Sequence, residues 1–366
     1  MYLSEALDRQ YTRETLSARH AQRAAEFIAF GPIVFEVSRL MVKWGILAML
    51  RDEELTGNEV AERAGISTYA AKCLLEASLT IGTVLVDRET ERFSLSKTGW
   101  FLLNDPATKV NMDFNHDVNY EGMFHLEEAL KAGKPEGLRH FGSWSTVYEG
   151  LSQLPEPVQK SWFAFDHFYS DSSFDDALKV VFANRPGTLL DVGGNTGRWA
   201  LRCVDYDSDV RVTIMDLPQQ LALMREAVKG HEGADRIDGY ATNMLKEESS
   251  FPTDRHYDAI WMSQFLDCFA ESEIESILRR AAQIMDADTT LYIMETLWDR
   301  QKYEPAAFCL TQISLYFTAI ANGNSKMYHS EDLKRVISKA GLEVRQIYDN
   351  LGQGHSILLC KKITNK

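Results

Sequence analysis

The chain has 366 residues, of which 45% are hydrophobic, 25% charged and 11% aromatic, enough for two or three folded domains and too apolar for a disordered chain. Thirty-nine basic against fifty-three acidic side chains give a formal charge of -14, so the average surface repels nucleic acid and anionic lipid, and neither is expected as a partner. The cysteines Cys73, Cys203, Cys268, Cys309 and Cys360 are odd in number and contain no CxxC pair, which suits neither a disulfide framework nor a zinc site. No metal is expected. Met1 to Arg13 carries charges of both signs without an apolar core, and Phe27 to Leu50 is interrupted by Glu36, Arg39 and Lys43. Neither segment reads as an export signal or a membrane span, and the expected compartment is the reducing cytoplasm.

From Ala18 to Leu50 apolar residues recur at helical spacing, with Gly31-Pro32 dividing two helices. Thr56 followed by Glu59 predicts a capping box opening a short helix that Gly65 ends. A second helix, with Leu74, Leu75, Leu79 and Ile81 on its apolar side, stops at Gly82. Val84-Leu85-Val86 and Arg92 to Leu95, joined by a charged turn, then read as a β-hairpin. Helix, turn, helix and hairpin is the layout of a winged helix. Arg51 to Trp100, however, holds six basic and nine acidic residues, and the second helix offers Lys72 beside Glu76 without an arginine. An interaction or dimerisation module is the better reading than a DNA reader.

Residues 106 to 186 read as mostly helical and aromatic. The period then changes. Strand-like runs at Thr188 to Val192, Val210 to Met215, Tyr257 to Met262, Thr289 to Met294 and Ile357 to Cys360 alternate with helical stretches at Gln219 to Lys229 and Glu271 to Met285. Such alternation predicts a parallel sheet covered on both faces.

The chemistry is carried by Asp191-Val192-Gly193-Gly194-Asn195-Thr196-Gly197, where a strand ends, small residues turn, and a helix begins. The glycines at 193, 194 and 197 do not follow the n, n+2, n+5 dinucleotide spacing. An acid two positions before the first glycine suits an ammonium, and a helix N-terminus suits a carboxylate; an amino-acid moiety satisfies both. Asp216, one αβ crossover later, can accept hydrogen bonds from a ribose diol. Ribose joined to an amino acid is S-adenosylmethionine.

The segment Asp191 to Gly197 resembles the DVGGGTG motif of class I S-adenosylmethionine-dependent methyltransferases, in particular the small-molecule O-methyltransferases of the plant caffeate and bacterial polyketide type. Asn195 replaces the third glycine, and asparagine tolerates left-handed backbone better than other side chains. The resemblance spans nearly the whole chain. It implies an α/β protein with a Rossmann-like, mostly parallel sheet covered by helices on both faces, behind an N-terminal, mostly helical winged-helix domain. The implied domains are 1-105 for dimerisation, 106-178 as a helical linker and part of the acceptor pocket, and 179-366 for S-adenosylmethionine binding and catalysis. The implied cofactor residues are Asp191, Gly193, Gly194, Asn195, Gly197, Asp216, Leu217, Asn243, Met244 and Ser263, with Asn243 standing where the family has an acid and keeping a side-chain acceptor for the adenine amino group.

The family deprotonates the acceptor with a histidine in a stretch like S-H-x-L-H-D-W, which aligns with Ser263 to Phe269 and puts Asp267 in the histidine's place. Of two flanking family acids, one falls on Glu295 and the other on Met327. Asp267 and Glu295 are therefore the expected catalytic pair, with Asp267 able to serve as base if burial raises its pKa, or to hold a cationic acceptor. His167 and His329 are the other candidate bases. Trp162, Phe165, His167, Phe168, Phe308, Gln312, Tyr316 and Met327 are the expected acceptor pocket, whose flat apolar walls would suit an aromatic molecule. The expected protein is a homodimeric, cytoplasmic O-methyltransferase acting on a small, aromatic, hydroxylated molecule. Its rivals are a cofactor-retaining homologue that transfers no methyl group and a DNA-binding regulator with a small-molecule sensing domain.

Overall fold

The computed structural model describes residues 1-246 and 249-363. By packing, the chain forms two units, residues 14-118 with 160-165, and residues 1-13, 119-159 and 166-366. The packing units do not follow chain order, for local reasons. The first residues pack with the second unit, where the Ser4 amide donates to the Asp299 carbonyl at 2.9 Å and its hydroxyl to the Gln301 carbonyl at 2.7 Å. The long helix Glu156–Asp171 contributes its middle to one unit and its ends to the other.

The first unit is helical. Thr56 and Glu59 form the expected reciprocal capping box, and Gly65 (φ +66°) and Gly82 (φ +96°) terminate the helices Gly57–Ala64 and Thr68–Ile81 in the left-handed region where glycine carries no steric penalty. Strands β1 (Val84–Val86) and β2 (Phe93–Leu95) pair antiparallel as predicted. Met41, Ile46, Leu47, Leu50, Leu75 and Val84 fill the core. The helix Ala18–Ala29, in contrast, buries none of its residues, and Ile28, Phe30 and Ile33 are exposed.

The second unit is built on β3 (Thr188–Val192), β4 (Arg211–Asp216), β5 (Ile237–Ala241), β6 (Ala259–Ser263), β7 (Thr290–Glu295), β8 (Leu342–Leu351) and β9 (His355–Lys362), in the order β5-β4-β3-β6-β7-β9-β8. Strands β3 to β7 run parallel, and β9 pairs antiparallel with β7 and β8. Successive residues serve opposite faces. Leu190, Val192, Met262 and Ile293 meet the helices Glu271–Ile284 and Ser330–Lys339, while Leu189, Trp261 and Met294 meet Arg198–Tyr206 and Pro218–Val228. Trp199 stacks on Trp261 at 4.4 Å between ring centroids. The strands not predicted, β5 and β8, are the two sheet edges. Both are partly exposed and polar, so an apolar-run criterion passes over them. Among the described residues no helix is long and apolar enough to cross a membrane.

Candidate functional site

The loop after β3 is held by its backbone. Gly193 (φ +77°) donates its amide to the Met215 carbonyl at 2.9 Å, and a Cβ there would lie 2.5 Å from the Phe265 ring. Asn195 takes φ +50°, the left-handed conformation expected of it. Its amide donates to Asp216 Oδ2 at 2.9 Å, and the Leu217 amide donates to Oδ1 at 2.7 Å. Asp216 thus joins the end of β4 to the glycine loop, and lone pairs on both oxygens are left for a diol. Gly197 (φ +82°) then starts the helix Arg198–Tyr206.

Asp191 is the electrostatically costly member. It is 2% exposed, its Oδ2 has no hydrogen-bond partner, and a Cβ on Gly194 would come within 2.4 Å of that oxygen. Burial, reinforced by repulsion from Asp216, pushes its carboxyl up to about 8. Burial also raises Asp216, against the pull of its two backbone donors. An orphaned buried carboxyl beside a cradle that only glycine can line fits the ammonium end of S-adenosylmethionine, and Asp216 fits its ribose.

On the adenine side, Asn243 Oδ1 accepts the Leu245 amide at 3.0 Å, so the oxygen expected to meet adenine already closes a turn. Met244 is buried beneath it. Arg280, from the helix Glu271–Ile284, fastens this loop by donating to the carbonyls of Met244 at 2.6 Å and Ser249 at 2.9 Å. No sequence signal pointed to Arg280, because its partners are main-chain atoms.

The second half of the site lies past β6. Ser263 ends that strand half-buried, and Gln264 follows at φ +45° with its amide on the Met294 carbonyl at 2.9 Å. The next amides, of Phe265 and Leu266, donate to Glu295 Oε1 at 3.2 and 2.8 Å and fix the short turn Leu266–Cys268. Glu295 is 2% exposed and its Oε2 has no partner. Asp267, 5% exposed, accepts the Cys268 thiol at 3.5 Å. Burial pushes Asp267 up to about 7, with the Cys268 hydrogen bond opposing and the Asp166 charge adding. Burial and then the nearby Asp267 push Glu295 well above the usual carboxylate range. Asp166, unnoticed in the sequence, is itself pushed up to about 6 by burial and then by Asp171. Tyr148, buried at its hydroxyl, faces Cys268, Tyr316 and Asp267.

The remaining expected residues disperse. Phe308 (55% exposed) and Gln312 lie on the outer side of the helix Glu304–Tyr316, whose buried side carries Tyr316. Helical spacing groups residues by face without saying which face turns inward. Met327 is buried, and its sulfur accepts the Thr296 hydroxyl at 3.3 Å. Trp162 and Phe165 belong to the first unit, where Phe165 stacks on Phe114 at 4.2 Å. His167 and Phe168 belong to the second and are half-buried; burial lowers the imidazole's pKa. His329 is buried with both ring nitrogens engaged. Its Nδ1 accepts the Glu331 amide at 3.1 Å and its Nε2 donates to the Tyr2 carbonyl at 2.9 Å, so it caps the helix Ser330–Lys339 and ties down the N-terminus.

Comparison with known proteins adds an independent view. Residues 22-93 match the family described as Dimerisation2-like domain, and residues 165-347, half of the chain, match Methyltransferase domain. Demethylspheroidene O-methyltransferase of Rhodobacter capsulatus is 23% identical over 348 residues, 93% of this chain and 82% of its own. Mitomycin biosynthesis 6-O-methyltransferase of Streptomyces lavendulae is 22% identical, over 83% of this chain and 84% of its own. Among solved structures, the S-adenosylmethionine-dependent methyltransferase SibL superposes with a TM-score of 0.70 at 20% identity, covering 93% of this chain and 98% of its own. The O-methyltransferase NcsB1, solved with S-adenosylmethionine and 2-hydroxy-5-methyl naphthoic acid, gives 0.64 at 20% identity, covering 90% of this chain and 95% of its own.

Proposed function

We propose a reaction from one premise: the chain belongs to the methyltransferase domain family and is an S-adenosylmethionine-dependent O-methyltransferase. The acceptor is a small, aromatic, hydroxylated molecule, as the names of the relatives suggest for those proteins. Asp191 holds the cofactor's ammonium, Asp216 its ribose, and Gly193, Gly194, Asn195, Gly197 and Leu217 supply the backbone cradle. Asn243, Met244 and Ser263 complete the cofactor side, while His167, Phe168, Tyr316 and Met327 border the acceptor side. When bound, S-adenosylmethionine supplies a methyl group on a positively charged sulfur, and holding the acceptor in line with it provides most of the rate enhancement.

Asp267 is the base. The single observation that carries this role is its burial, reinforced by the charge of Asp166, which brings an aspartate into the range where a histidine titrates, near neutrality and suited to taking a phenolic proton. The hydroxyl proton passes to Asp267, leaving an oxygen nucleophile. Incubation with radiolabelled S-adenosylmethionine and a panel of phenols tests the reading. Label should appear in phenol ethers, and retention of all label on the cofactor would refute methyl transfer. Asp216→Ala should weaken calorimetric binding of S-adenosylhomocysteine about 10- to 100-fold, the loss expected for hydrogen bonds to a charged group.

The segment 1-105 serves as a winged-helix dimerisation domain, with 106-178 as linker and 179-366 as the catalytic domain. The match to a dimerisation domain over residues 22-93 supports this, as does the apolar surface of Ile28 (81% exposed), Phe30 and Ile33, which a second copy would cover. The setting is cytoplasmic, in keeping with five free thiols.

A further inference from the structure

The two acids of the acceptor turn do not have equivalent surroundings. Glu295 Oε1 takes two backbone N–H groups, from Phe265 at 3.2 Å and Leu266 at 2.8 Å, while Oε2 is buried with no partner at all. A buried oxygen that no donor reaches is costly as part of an anion, and Oε2 is where a proton relieves that cost. Burial and the charge of Asp267 favour this neutral form, against the pull of the backbone amides of Leu266, Phe265 and Asp267. Asp267 and Cys268 stand on the turn, Tyr328 lies within electrostatic reach, and Ser356 on β9 pairs with Glu295 across the β7–β9 ladder. None of these is a cation. Asp267 has no such orphaned oxygen: its carboxyl is met by its own backbone amide, by that of Cys268 and by the Cys268 thiol at 3.5 Å, donors that favour its ionised form.

We propose that Glu295 acts as an uncharged hydrogen-bond donor to the acceptor, so that Glu295 and Asp267 together offer one donor and one acceptor that a single hydroxyl satisfies. The hydroxyl hydrogen points to Asp267 and an oxygen lone pair receives the Glu295 proton. A protonated amine, which has only donors, leaves the Glu295 O–H without a partner, so the pair selects oxygen over cationic nitrogen. This role rests on the methyltransferase reading for its purpose, but its geometry is a property of the chain.

The test is calorimetric binding of 2-naphthalenemethanol, an alcohol that does not ionise near neutrality, to protein loaded with S-adenosylhomocysteine. Glu295→Gln keeps a carbonyl for the two backbone amides and an N–H donor in place of the acid O–H, so affinity should be retained. Glu295→Met removes the donor and should weaken binding about tenfold. Wild-type affinity should fall on the alkaline side as the acid ionises, and that of Glu295→Gln should not. If Gln weakens binding as much as Met, if Met binds like wild type, or if wild type binds no alcohol, the proposal is overturned. Should the Met variant fail to fold, shown by lost affinity for S-adenosylhomocysteine, the pH dependence of wild type against Glu295→Gln decides alone. Alcohol binding with this pattern but no transfer of label to any phenol would sink the methyltransferase reading and leave this one standing.

Discussion

The glycine loop after β3 and the turn after β6 lie at the ends of neighbouring strands and solve opposite problems. In the loop, backbone N–H groups and left-handed residues do most of the holding, and a side chain can change without loss: Asn195 takes φ +50° where a glycine is usual, and its amide still reaches Asp216. In the turn, the chemistry depends on what the side chains are. Asp267 stands where the motif resemblance places a histidine, and burial with the charge of Asp166 nearby shifts its titration to about 7. Recognition built from main chain tolerates substitution. A proton acceptor tolerates it only when its surroundings restore a suitable pKa.

The contrast breaks most sharply at Asp267. Replacing it with asparagine should lower the transfer rate constant by about 10²–10⁴, the range for loss of a general base. Affinity for S-adenosylhomocysteine should not change. Rates should rise with pH through about 7 in wild type, because Asp267 must shed its proton to act, and the asparagine variant should lack this limb. Single-turnover label transfer measures both, and an unchanged pH profile would move the base elsewhere.

A smaller effect separates binding from stability at Asp191. Its carboxyl titrates near 8 when folded and near about 3.9 in an unfolded chain. Between those values the unfolded chain has already lost the proton that the folded one keeps. Cofactor-free protein should therefore become less stable as pH rises through this window, by up to about 1.4 kcal/mol per pH unit from this group. Asp191→Asn should flatten the slope in urea midpoints while abolishing cofactor binding. Equal slopes in the two proteins would show that Asp191 is not held neutral.

The smallest change is expected at Asn195. Glycine there should shift stability by less than about 1 kcal/mol, since the relieved strain and the added chain entropy oppose one another. Valine, β-branched at positive φ, should cost clearly more. Thermal midpoints distinguish the two, and an equal loss from both would mean that the asparagine side chain, rather than its backbone angle, shapes the loop.

Sequence periodicity sufficed wherever burial is two-sided or a cap is local. The Thr56–Glu59 box, Gly65, Gly82, the hairpin and the inner strands β3, β4, β6, β7 and β9 follow from residue patterns that the chain carries by itself. The edge strands β5 and β8 did not, because half-exposed edges carry no continuous apolar run. The glycine motif and the two acids beside it were likewise legible, since glycine positions and a crossover length are written along the chain.

What folding alone decided is who meets whom across long separations. Arg280 fastens a loop through carbonyls more than thirty residues away, a partnership that side-chain identity does not encode. Asp166 reaches the charge of Asp267 across a hundred residues, and the two oxygens of Glu295 differ only because the turn from Phe265 gives its amides to one of them. The sequence by itself determined a parallel sheet with a cradle for a sulfonium nucleoside, through spacing and small residues. Only the tertiary structure decided the protonation of the acids beside it, because a carboxyl's pKa is set by the water it loses and the charges it gains on burial.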